Sequence, residues 1–128
     1  MTQLTQHFTR EELACKHCGE MRIPLASVER LQRVRNRVGH VLNISSGYRC
    51  PEHNNAVSKT GRDGPHTKAA FDVAVHGDEA YHVIQAAQAE EFTGIGVNQK
   101  GPLEGRFIHL DDLNDAPGRP RPHVWSYA

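Results

Sequence analysis

The stretch Gly64-Pro65-His66-Thr67-Lys68-Ala69-Ala70-Phe71-Asp72-Val73 carries a turn straight into a strand. From Ala69 to Val75 the residues alternate, placing Phe71, Val73 and Val75 on one face and Ala70, Asp72 and Ala74 on the other. Upstream, Thr60 to Pro65 is a loop by its Gly, Asp and Pro content, and Pro51 opens a short helix through Val57. Gly47 ends a strand expected over His40–Ser46, whose bulk comes from Val41, Leu42 and Ile44. Before it, Leu25, Val28, Leu31, Val34 and Val38 recur at helical steps, with Pro24 at the start and Gly39 just past the end. Thr9 and Glu12 form a capping-box pattern near the N-terminus. Downstream, the spacing predicts a helix over Asp78–Phe92 and strands over Gly94–Val97 and Arg106–Leu110. A Pro- and Gly-rich segment then precedes a last strand over Val124–Tyr127. Helices early and strands late predict an α+β domain built on an antiparallel sheet flanked by helices.

The 128 residues make one domain, 1–128, long enough to bury a core without disulfides or obligate partners. Fifteen basic and fifteen acidic side chains balance, so the chain lacks the field expected of a nucleic-acid or anionic-membrane binder. No stretch approaches the roughly 18 apolar residues of a membrane span, and the opening MTQLTQHFTREEL does not read as a signal peptide. Nine histidines against three cysteines point to metal.

His66 and Asp72 straddle the turn-to-strand junction, and His109 lies near the end of a separate strand, where its ring can face the same sheet surface. Two imidazoles and one carboxylate converging would leave a fourth tetrahedral position for water, as catalytic zinc requires. Spacing alone leaves a chance pairing open, given so many histidines. Cys15-x-x-Cys18 and Cys50-x-x-His53 are two further pairs of soft ligands. They read as a closed Cys₃His structural zinc site, as three reduced thiols, or as a disulfide with one thiol left over.

Three segments together resemble successive motifs of the zinc D-Ala-D-Ala carboxypeptidases: SGYRCPEHNNAV (Ser46–Val57), GPHTKAAFDV (Gly64–Val73) and FIHLDD (Phe107–Asp112). That superfamily also holds phage cell-wall endopeptidases, the dipeptidases of vancomycin resistance and the hedgehog signalling domain. The resemblance implies the hedgehog/D,D-peptidase-like fold, zinc on His66, Asp72 and His109, and Arg49 on a substrate carboxylate or developing oxyanion. A guanidinium suits that task through its fixed fork of donors. The implied activity is hydrolysis of an amide beside a D-amino acid in peptidoglycan stem peptides. The implied setting is a monomer made in the cytoplasm that acts on the bacterial wall, as a phage or prophage lysis product does.

The chain departs from the family in two places. Only five residues separate His66 from Asp72, one fewer than the family pattern, and the loop before the strand is expected to absorb the change. Where relatives carry a Glu or His just before the last ligand, Arg106 and Phe107 stand instead. The general base is therefore open among Asp111, Glu104 and His123, with Asp111 first or else orienting a ligand. A binding module of the same fold is the rival reading. A small zinc nuclease is a further one, disfavoured by zero net charge.

Overall fold

Thr9 caps α1 (Arg10–Leu13) in the computed structural model, which describes residues 1–128. Its hydroxyl accepts the Glu12 N–H, and the Glu12 carboxylate accepts the Thr9 N–H at 2.8 Å. Helix α2 (Leu25–Val38) turns Val28, Leu31 and Val34 inward and ends where Gly39 takes a left-handed φ of 76°. Strand β1 (Ile44–Ser46) is shorter than the expected run because its partner stops early; of His40–Asn43, only Asn43 is bonded across, accepting the Ala74 N–H. Helix α3 (Pro51–Val57) follows, then a single 3₁₀ turn at Pro65–Thr67 and strand β2 (Ala70–Val73). Helix α4 (Gly77–Ala89) stops short of Phe92, since Glu91 adopts φ 67° and Phe92 folds back to bond Ala87. Phe92 thereby reaches the core.

Strands β3 (Gly94–Asn98), β4 (Phe107–Asp111) and β5 (His123–Ser126) complete a five-stranded sheet in the order β1-β2-β4-β3-β5. Four strands pair antiparallel, as expected, but β5 runs parallel to β3. The connection explains this. β4 is antiparallel to β3 and so ends beside the start of β3, with Asp111 opposite Gly94. A connector that stays at that end launches the next strand alongside β3 in the same direction, and His123 N–H indeed bonds Thr93 O.

Phe71, Val73, Ile108, Leu110 and Ile95 face α2 and α4 and form the core with Val28, Leu31, Val34, Val83 and Ala87. The register sets the opposite face. Ser46, Asp72, His109, Gly96 and Trp125 stand in one row across all five strands. Directly opposed residues share a face, so this row gathers side chains from distant parts of the chain.

Candidate active site

Asp72 and His109 are cross-strand partners in that row, and the turn at Pro65–Thr67 drops His66 onto them. His66 Nε2 lies 3.1 Å and His109 Nδ1 3.2 Å from Asp72 Oδ1. All three ligand atoms fall within 4.8 Å of one another, and all three residues are buried. With only five residues between His66 and Asp72, Asp72 still lies directly opposite His109 and within reach of the His66 ring.

The far nitrogen of each imidazole is occupied. His66 Nδ1 donates to Gly47 O at 2.7 Å, which frees Nε2. His109 Nε2 donates to Asp111 Oδ2 at 2.8 Å, which frees Nδ1. A backbone carbonyl and a carboxylate behind two imidazoles are the supports that metal-binding histidines require. This donor set fits zinc: two nitrogens and one oxygen converge, with room for a fourth ligand.

Charge in the cluster is strongly tuned. Burial opposes ionisation of Asp72, yet the His109 and His66 imidazoles beside it hold its carboxyl well below the usual range. Burial likewise opposes ionisation of Asp111, but His109 and Arg121 bring it down to about 2. At His109 burial disfavours the cation, and the carboxylates of Asp111 and Asp72 outweigh it, raising the imidazole above its ordinary value.

Arg49 reaches the cluster from the loop between β1 and α3. Its Nε donates to Ser46 Oγ at 3.2 Å and its Nη1 to Asn54 Oδ1 at 3.1 Å, while Nη2 lies 3.6 Å from Asp72 Oδ2. Asn54 is itself buried and braced by Thr60 Oγ1 at 2.8 Å and Gly61 O at 2.6 Å. Ser46 and Asn54 engage two of the five guanidinium donors, leaving others for a ligand. The Arg49 N–H also donates to His66 O at 2.9 Å, so this loop and the histidine turn move together.

Arg49, His66, Asp72, His109, Trp125 and Tyr127 line a cavity of about 500 Å³. Trp125 packs on His109 with ring centres 5.0 Å apart. Tyr127 is raised to about 12 by burial, against the opposing hydrogen bond from Trp125, so it keeps its proton at neutral pH. Trp125 comes from β5 and Tyr127 from just past its end, and both reach the cleft. The parallel pairing of β5, which alternation does not reveal, puts them there.

Asp111 lies on the side of His109 away from Asp72, is fully buried, and is gripped by Arg121 Nε and Nη2 at 2.8 and 2.7 Å. It does not line the cavity, so its place is that of a positioning residue rather than the expected base. Glu104 sits on an exposed turn outside the cavity, and His123 stacks on Trp125 at 5.8 Å.

The cysteines converge separately: Cys15, Cys18 and Cys50 sulfurs lie within 4.8 Å of one another, all as free thiols. His53, expected as their fourth ligand, is not in the cluster. Cys50 is the N-cap of α3, so the contact suggested by spacing is made by the His53 backbone N–H, at 3.4 Å from Cys50 Sγ. The ring near that sulfur belongs to His17, whose Nδ1 is 3.5 Å away.

A family model described as Peptidase M15 matches residues 6–111. No curated protein matches the chain.

Proposed function

The chain belongs to the Peptidase M15 family of zinc metallopeptidases, and from that premise we propose that it hydrolyses an amide bond beside a D-amino acid in peptidoglycan stem peptides. The observation that carries this reading is the convergence of His66, Asp72 and His109 in a cleft that Arg49 enters. Zinc bound there would polarise the scissile carbonyl and bring the pKa of a water towards neutrality. The chain's own groups divide the remaining work. Gly47 O and Asp111 hold the two imidazoles in the tautomers that face Asp72. Arg49 binds the substrate's terminal carboxylate or the oxyanion that develops at the carbonyl, in a fork already set by Ser46 and Asn54. Tyr127, protonated and lining the same cavity, offers a second donor to that oxygen. Trp125 covers one face of His109 and keeps bulk water from it.

The substrate in this reading is a peptidoglycan peptide, with neither nucleic acid nor membrane as partner and the protein acting as a monomer. No helix is long and apolar enough to cross a membrane. A phage or prophage product that meets the wall once the membrane is breached, or that travels on a particle, fits this picture.

One observation favours a second reading, a zinc-containing binding module. Apart from the three converging residues, no carboxylate or imidazole side chain lines the cleft, and Phe107 occupies a position where relatives carry a proton acceptor. Zinc-loaded protein incubated with purified peptidoglycan and synthetic stem peptides separates the two. Release of peptide fragments by the wild type but not by His109→Ala, read by mass spectrometry, is the expected result. Retention of uncleaved peptide with one zinc at the histidine site would favour the binding module.

A further inference from the structure

Cys15 lies two residues past the end of α1, and the chain then doubles back: Cys15 N–H donates to Glu20 O at 2.7 Å and Gly19 N–H to Cys15 O at 2.8 Å. Gly19 takes φ 78°, which closes this turn and brings Cys15 and Cys18 to the same side. The loop carrying Arg49 docks against it. Tyr48 N–H donates to Leu13 O at 2.8 Å, and Cys50 N–H to Cys15 Sγ at 3.3 Å. This approach needs Gly47, because a Cβ there would sit 2.5 Å from Leu13 O. Cys50 thus arrives beside the other two sulfurs, and the His53 N–H points at its own sulfur. His17, inside the Cys15–Cys18 turn, brings Nδ1 to 3.5 Å from Cys50 Sγ, its ring stacked on that of His53 at 5.8 Å and 6°.

Three thiols from two segments distant in sequence converge within 4.8 Å, and the His17 imidazole stands just outside that cluster, beside Cys50 Sγ; with that ring turned in, the four make a soft donor set. Such a set selects zinc over hard cations and closes a tetrahedron with no position left for substrate. Backbone N–H groups directed at Cys15 and Cys50 spread the negative charge that bound thiolates carry. We propose that Cys15, Cys18, Cys50 and His17 bind a structural zinc ion that pins the loop carrying Arg49. The metal assignment stands apart from the peptidase reading, and only its effect on Arg49 rests on that reading. Arg49 precedes Cys50 in the chain and bonds His66 O, so a metal at Cys50 fixes the backbone next to the guanidinium on one side while Ser46 and Asn54 hold its head.

Cobalt(II) titration of reduced, zinc-free protein tests this, because a thiolate site and a histidine-carboxylate site differ in colour. With His109→Ala, one equivalent should bind with a thiolate-to-cobalt charge-transfer band and the intense visible bands of tetrahedral cobalt. Cys18→Ser, at an exposed position, should diminish the charge-transfer band and weaken binding at least about tenfold. His17→Ala should weaken it to a similar degree, whereas His53→Ala should not. No charge-transfer band, or a count of one free thiol in place of three in freshly purified protein, overturns the site. Loss in His53→Ala with none in His17→Ala overturns its fourth ligand. Cobalt bound to the wild type without charge transfer reports on His66, Asp72 and His109 alone, so the two readings fail separately.

Discussion

Asp111 is fully buried, and Arg121 and His109 between them occupy both its oxygens. Arg121→Met removes two charge-assisted bonds and leaves a buried carboxylate with only His109 and a long contact from the Leu113 N–H. Breaking such a pair costs about 3–5 kcal/mol, so the urea midpoint should fall while the slope stays unchanged. Zinc affinity at the histidine site should weaken by about 10–100-fold, because the group orienting His109 has lost its anchor. Arg121→Lys should recover only part of either loss, since an ammonium cannot bridge both oxygens. The sequence made Asp111 visible through its spacing from His109, but its role depends on which ring nitrogen it meets. That depends on Arg121, which a connector without pattern brings back across the sheet. His17 was hidden for a related reason: its place beside Cys50 follows from how a turn docks on a loop, and spacing along the chain carries no trace of that.

At the scale of elements, the core faces of α2 and β2 follow directly from apolar periodicity, and β2 shows its polar face as well. The contact between helices is less legible. Arg33 and Arg37 of α2 both clasp the Glu90 carboxylate just past the end of α4, and Arg30 donates to the Glu90 carbonyl oxygen. The arginines hold the Glu90 carboxyl below its ordinary value. A depressed carboxylate contributes stability that is present above its unfolded pKa, about 4.3, and is lost as pH falls through the lower folded value. Glu90→Gln should therefore destabilise by up to about 1 kcal/mol at pH 7. The gap to wild type should close in melts at progressively lower pH below about 4. Strand β3 provides a second test. A Cβ on Gly94 would meet Asp111 Oδ1 at 2.3 Å, and the carboxylate cannot retreat while Arg121 grips it. Gly94→Ala should cost about 1–3 kcal/mol by overpacking and weaken zinc binding with it. Elsewhere glycine in a strand reads only as poor strand propensity; here it is what lets an acid lie against the neighbouring strand.

Across the whole molecule, both candidate metal clusters join segments that the chain order separates. His66, Asp72 and His109 tie a turn to the two central strands. Cys15, Cys18 and Cys50 tie the N-terminal turn to the loop before α3. The unfolded chain cannot preform either set, so metal that binds only the native state stabilises it by mass action. At a hundredfold excess over its dissociation constant, zinc at one site is worth about 2.7 kcal/mol. That corresponds to a rise in Tm on the order of 10 °C for a domain of this size. The two sites also share a segment, because Arg49 bonds His66 O and is followed by Cys50. Filling the cysteine site should thus tighten the histidine site, and linkage requires the reverse to the same factor. Tm plotted against the logarithm of free zinc should begin to rise at one concentration and steepen at a second for the wild type, but show a single onset for either His109→Ala or Cys18→Ser. The onset remaining in each variant should sit at higher zinc than the corresponding one in the wild type. A remaining onset that stays at its wild-type zinc concentration in both variants would mean the loop transmits nothing between the sites.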